Sequence, residues 1–109
     1  MSHESVLLHE VIAGLDLRPG LTVLDGTLGD GGHARAIGEI IGATGRLIGL
    51  DADPKAVARA EKSLADLASA KIFRNGNFRD LDAHLSVLGS DRLDRALLDL
   101  GLSSPHLAD

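Results

Sequence analysis

The chain contains no cysteine. Disulfide scaffolds, zinc-thiolate centres and thiol nucleophiles are therefore excluded. Tryptophan and tyrosine are also absent, and two phenylalanines are the whole aromatic complement, which leaves few platforms on which bases could stack. Basic charge is scarce as well: 11 Lys and Arg face 16 Asp and Glu, for a net charge of −5 and a pI near 5.4. That balance disfavours a free-standing nucleic-acid binder, because neutralising phosphates requires clustered cations. No apolar run approaches the roughly 20 residues of a membrane span, and no signal-peptide apolar region follows the N-terminus. A cytoplasmic location is the expectation.

What is present is a globular balance. Of the 109 residues 44% are hydrophobic and 25% charged, so the expected organisation is one domain over residues 1–109. A chain of this size buries roughly 60–70% of its unfolded surface, enough for a modest core.

Apolar spacing sets out the elements. Leu7, Leu8, Val11, Ile12 and Leu15 share one face of a first helix, with Glu4 or Ser5 at its N-terminus and Arg18-Pro19-Gly20 as its stop. Residues 21–25 form a short apolar run ending in Asp25, read as a buried strand. Gly26-Thr27-Leu28-Gly29-Asp30-Gly31-Gly32 is a loop, since no regular element tolerates so many glycines. Ala34, Ile37, Ile40 and Ile41 mark a second helix closed by Gly42 and Gly45. Residues 46–51 form the second strand. Asp53-Pro54 then opens a third helix, Asp as cap and Pro at the first helical position, with Val57, Ala60, Leu64, Leu67 and Ala68 as its stripe. Residues 71–74 read as a weaker third strand, Leu81, Leu85 and Leu88 as a fourth helix, and residues 93–100 as the fourth strand.

Strands alternating with helices predict an α/β fold with a parallel, Rossmann-like sheet. The expected strand order is 3-2-1-4, with ligands bound beyond the carboxyl ends of strands 1 and 4, where the order reverses. This is half of a doubly wound sheet, truncated after strand 4. The exposed edge of that strand, with Ala96, Leu97, Leu98 and Leu100, is expected either to lie open or to be covered by a second copy in a homodimer.

Chemistry concentrates at that reversal point. Gly29-Asp30-Gly31-Gly32-His33-Ala34 satisfies the G-x-G-x-x-G/A pattern between a strand and a helix, where glycines admit a ligand close to the backbone. Asp51 ends the second strand about twenty residues on, where a carboxylate can accept hydrogen bonds from both ribose hydroxyls. Its structural alternative is a helix cap, a role for which Asp53 is better placed. This spacing suits nicotinamide dinucleotides and S-adenosylmethionine equally. Charge separates them. Asp25 and Asp30 flank the glycines and no Lys or Arg lies among them, which repels a pyrophosphate and attracts a sulfonium and an ammonium. Asp30 read simply as a solvated turn residue removes part of that preference.

Asp99 leaves the fourth strand at the same switch point, placed to accept an N–H from an amino acceptor or, alternatively, to cap the loop. Methyl transfer is an in-line displacement in which positioning does most of the work. Phe78 reads equally as a neighbour of the adenine and as core packing against Leu81 and Leu85. The five histidines show no pairing at metal-ligand spacing, so no metal site is expected.

Four stretches together resemble the small-subunit (16S) ribosomal RNA cytosine-N4 methyltransferase family, methyltransferase H. They are residues 3–10 (HESVLLHE), 25–33 (DGTLGDGGH), 45–54 (GRLIGLDADP) and 97–105 (LLDLGLSSP). The likeness runs over essentially the whole chain in order and spacing, and the glycine loop with its His and the Asp-Leu-Gly-x-Ser-Ser-Pro stretch are specific to that family. It implies a class I S-adenosylmethionine-dependent methyltransferase. Gly31, Gly32 and His33 would contact the methionine moiety, Asp51 the ribose and Phe78 the adenine, with Asp99 beside the reacting centre. His106 stands where the family has Gln, and can still donate a hydrogen bond to the cofactor. Ala108 stands where the family usually has Asp. Family members are much longer, so the resemblance also implies that this chain is the cofactor-binding half. The surface for small-subunit ribosomal RNA would then lie in the part beyond it. Two other readings stay open: a non-catalytic, self-associating nucleoside-binding module, and a fragment of an NAD-dependent oxidoreductase.

Overall fold

The computed structural model describes residues 3–26, 28–29, 32–76 and 93–97. Three helices and four strands follow one another along them. Helix α1 spans His3–Leu15, β1 Thr22–Asp25, α2 Gly32–Ile41, β2 Arg46–Asp51, α3 Pro54–Ser63, β3 Ala70–Asn75 and β4 Arg95–Leu97. The strands form one sheet in the order β3-β2-β1-β4, every pairing parallel, as the alternation predicts. The fourth helix expected around Leu81–Leu88 lies outside the described residues.

Alternation along each strand divides the core. Val23 and Leu47 point to one face, where they pack with Ala34, Ile37 and Ile41 of α2, Val57 and Ala60 of α3, and Ile12 and Leu15 of α1. Leu24, Ile48 and Leu50 point to the other face, with Leu93 against them. Both faces are dry: Val23, Leu24, Leu47 and Ile48 have no exposed surface. A strand buried on both sides reads as a continuous apolar run, which is why residues 46–51 were legible without strict alternation. No helix among the described residues is long and apolar enough to cross a membrane.

The helix boundaries differ in detail from the sequence expectation. Helix α1 already includes Glu4 and Ser5 in its first turn, so neither residue precedes it. It ends at Leu15, before Pro19 is reached, because Asp16 turns left-handed at φ 49°. Arg95 of β4 then closes that end: its Nε donates to the Leu15 carbonyl at 2.7 Å and its Nη2 to the Asp16 carbonyl at 3.3 Å. A cation at a helix C-terminus also meets the favourable end of the helix dipole. In α2 the buried set is Ala34, Ile37, Gly38 and Ile41, and Ile40 faces outward with 37% exposure. Gly38 occupies the inward position because Leu67 fills the space that a side chain would need: a Cβ there would lie 2.6 Å from Leu67 Cδ1. Gly42 ends α2 at φ 67°, a left-handed position that suits glycine. The stripe assigned to α3 runs past its end, since the helix stops at Ser63 while Leu64 and Leu67 remain buried beyond it.

An ion pair joins the outer surfaces of α2 and the turn after α3. Arg35 donates through Nη2 to Asp66 Oδ1 at 2.8 Å and to the Ser63 carbonyl at 2.6 Å, and through Nη1 to Asp66 Oδ2 at 3.3 Å. The guanidinium hydrogen bond holds the Asp66 carboxyl below the usual carboxylate range. A depressed folded-state pKa contributes stability above the unfolded value, and that contribution is lost as pH falls through the folded value. Because both groups are exposed, the effect is small. Asp66→Asn should accordingly lower the melting temperature at pH 7, with the gap to the unsubstituted chain closing below about pH 4. A gap that persists undiminished in acid would assign the effect to something other than this charge.

Candidate functional site at the carboxyl edge of the sheet

Parallel strands place all their carboxyl ends on one edge. The register aligns Asp25 of β1 with Gly49 on one side and Leu97 on the other, and Asp51 of β2 with Asn75 of β3. The loop leaving β1 therefore emerges between the ends of β2 and β4. Its first residue is fixed at once, Gly26 donating its amide to the Leu97 carbonyl at 2.7 Å.

Asp51 is the residue on which the edge converges. Its Oδ2 accepts the amide of Gly29 at 3.0 Å and its Oδ1 the amide of Asp53 at 2.8 Å. The carboxylate thus ties the glycine loop to the turn that starts α3. Gly29 takes φ 45°, a left-handed conformation that glycine adopts without Cβ strain. Asp51 is not the helix cap. That role falls to Asp53, whose side chain accepts the Lys55 amide at 2.9 Å while Pro54 occupies the start of the helix. Asp53 is thus the cap of α3, as the sequence predicts.

The backbone beneath Asp51 is clamped from β3. Asn75 donates through Nδ2 to the carbonyls of Asp51 and Ala52 at 3.0 and 2.9 Å, and Gly76 donates its amide to the Asp51 carbonyl at 2.9 Å. Asn75 lies one residue past the third strand expected at residues 71–74 and is the last residue of β3. The signal was the position itself, a carboxamide with two donors at the register point opposite Asp51.

Of the other expected site residues, Gly32 opens α2 and His33 lies half-buried in its first turn, beside the same loop. Asp25, fully buried, ends β1 directly beneath it. Asp30, Gly31, Phe78, Asp99 and His106 lie outside the described residues. The described part of the site thus joins Asp51 and the glycine loop and carries two carboxylates at adjacent strand ends. Residues 25–33 contain no Lys or Arg.

A carboxylate offers about four lone-pair directions. Among the described residues two donors use Asp51, one on each oxygen, which leaves each oxygen one direction for a further donor. A vicinal diol matches that vacancy, and the acidic surroundings match a cationic group better than a phosphate.

The family model described as the MraW methylase family matches residues 1–109. This chain belongs to the MraW methylase family. Its sheet order and glycine loop are thus those of a methylase-family member. It is 50% identical over 105 residues to ribosomal RNA small subunit methyltransferase H of Trichlorobacter lovleyi, covering 96% of this chain and 34% of that protein. The protein of the same name from Shewanella pealeana is 44% identical over 108 residues, covering 98% and 34%. Among solved structures, Thermus thermophilus TrmN superposes with a TM-score of 0.62 at 30% identity, covering 72% of this chain and 24% of that one. This MraW-family chain thus spans about a third of the length of the curated relatives it matches.

The clamp under Asp51 is open to test in this family member. Asn75→Ala removes two hydrogen bonds from an exposed turn and should cost about 1–2 kcal/mol of stability, read from urea unfolding. Unchanged stability would mean that Gly76 alone holds the turn.

Proposed function

We propose that this chain is the S-adenosylmethionine-binding part of an enzyme that methylates the exocyclic N4 of a cytosine in small-subunit ribosomal RNA. The observation that carries the reading is the Asp51 carboxylate, held between Gly29 and Asp53 and, among the described residues, with one acceptor direction left on each oxygen, at the mouth of a loop without cations. Membership in a methylase family and relatives named ribosomal RNA small subunit methyltransferase H support the same activity.

In this proposal Asp51 accepts both ribose hydroxyls, and Gly31, Gly32 and His33 follow the methionine moiety along the start of α2. Phe78 borders the adenine, and His106 donates one further hydrogen bond to the cofactor. Asp99 accepts an N–H of the acceptor amine and so turns its lone pair toward the methyl group. When bound, the cofactor supplies an electrophilic methyl on a cationic sulfur, and the loop of residues 25–33 brings no Lys or Arg to oppose that charge. With a net charge of −5, the chain itself offers little to an RNA backbone. The RNA-recognising surface is accordingly assigned to the two thirds of the relatives that this chain does not span.

Titration calorimetry with S-adenosylhomocysteine and with NAD tests the cofactor: the former should bind more tightly, and tighter NAD binding would favour an oxidoreductase. Asp51→Ala should weaken S-adenosylhomocysteine binding by about 1.5–3 kcal/mol, because a charged acceptor is lost. An unchanged dissociation constant would leave Asp51 a purely structural residue. For the RNA substrate, methyl transfer to small ribosomal subunits should be at least 100-fold slower with this chain than with the Trichlorobacter lovleyi relative. Equal rates would contradict the assignment of RNA recognition to the remaining two thirds.

A second reading, self-association along β4, is favoured by Ala96, which is exposed on the last strand of the described sheet. Light scattering at high concentration decides it: a dimer supports the reading and a monomer removes it.

A further inference from the structure

The glycine loop is held on the sheet by a contact that none of the residues assigned to the cofactor makes. Leu28, the apolar residue within that loop, is 1% exposed and belongs to the core cluster on the helical face, with Phe73 of β3 packed against the same cluster. The two side chains meet the sheet over Gly49 of β2. A Cβ added at Gly49 would lie 2.7 Å from Leu28 Cδ2, 3.0 Å from Leu28 Cγ and 2.6 Å from Phe73 Cδ1.

Glycine weakens the interior of a strand, so its presence in the middle of β2 calls for a reason. Backbone conformation does not supply one. Gly49 is not among the glycines with positive φ, and it is paired in regular register with Asp25 and Phe73. Space supplies it. The missing side chain is the room into which Leu28 descends from the loop. Leu28 directly precedes Gly29, the residue whose amide reaches Asp51.

We propose that Leu28, Gly49 and Phe73 form the seat of the glycine loop, positioning residues that set the Gly29 amide against the Asp51 carboxylate. The consequence for cofactor affinity rests on the S-adenosylmethionine reading above. The seat itself does not, because it is a property of the ligand-free chain. A methyl group at position 49 lifts Leu28, swings Gly29 away from Asp51 and leaves the carboxylate aimed without its loop partner. Removal of the peg by Leu28→Ala acts in the same direction from the other side.

Amide hydrogen exchange on the ligand-free 109-residue chain tests this, with S-adenosylhomocysteine affinity measured alongside. In Gly49→Ala and in Leu28→Ala the Gly29 amide should exchange at least tenfold faster, while the amides of Leu24 and Ile48 keep their protection. S-adenosylhomocysteine binding should weaken tenfold or more in both. If Gly49→Ala fails to fold, Leu28→Ala alone carries the decision. Unchanged Gly29 exchange in a folded variant overturns the seat. Faster exchange in a series in which even the unsubstituted chain binds no S-adenosylhomocysteine upholds the seat and removes the cofactor reading instead.

Discussion

One carboxylate joins two parts of the chain that are 22 residues apart. Asp51 accepts the amide of Gly29 from the loop after β1 and the amide of Asp53 from the turn before α3, and through them it fixes how the edge of the sheet is shaped. Hydrogen bonds to an ionised acceptor are roughly twice as strong as neutral ones, so this pair is a natural anchor for loops that regular structure cannot hold. The rest of the site follows from where that carboxylate stands. It lies at the carboxyl end of a central strand, with its own backbone gripped by Asn75 and Gly76 from the neighbouring strand.

The fold exists, in this sense, to deliver Asp51 and the loop to one place. Parallel pairing sends every strand toward the same edge, and short connections after β1 and β2 leave little freedom in what arrives there. Burial does the remaining work. Val23, Leu24, Leu47 and Ile48 are wholly excluded from water, so the central strands cannot slip by one residue without turning their apolar side chains to the wrong face. At the opposite edge Asp94 pins the start of β1, its Oδ2 accepting the Thr22 amide at 2.7 Å, and Arg95 ties β4 to the end of α1. Polar contacts at both ends thus bracket an apolar middle.

Much of this was legible in the sequence because it is local. The buried strand at 46–51, the Asp53-Pro54 helix start and the Gly42 stop each carry their physical cause within a few residues, and all three stand in the structure. The sheet order followed from alternation of elements. The residues misjudged were those whose role depends on a distant neighbour. Apolarity alone turns Ile40 inward, whereas Gly38 takes the inward position because Leu67 needs the room. Arg18-Pro19-Gly20 predicts the stop of α1, but the chain turns earlier, at Asp16, where Arg95 receives it from a strand almost eighty residues away. Asn75 and Gly49 act through cross-strand register, which becomes readable only once the pairing of β2 with β3 is known. In the candidate site, spacing alone puts Asp51 and the glycines on one edge of the sheet, and their direct contact through Gly29 is the structure's addition. Asp99, Phe78 and His106 lie outside the described residues, and their roles belong to the proposal alone.

An acidic protein of a methylase family whose curated relatives are named for ribosomal RNA is less paradoxical once the two tasks are separated. In the proposed reading this chain holds a cationic cofactor, which favours carboxylates, and RNA, which favours arginine and lysine, is left to the part of the relatives it does not span. The most direct test of that account is a crystal structure of this chain with S-adenosylhomocysteine bound. The account predicts both ribose hydroxyls within hydrogen-bonding distance of the Asp51 carboxylate, with the Gly29 amide still on Oδ2. A nucleoside bound elsewhere, with Asp51 touching only protein, would contradict it.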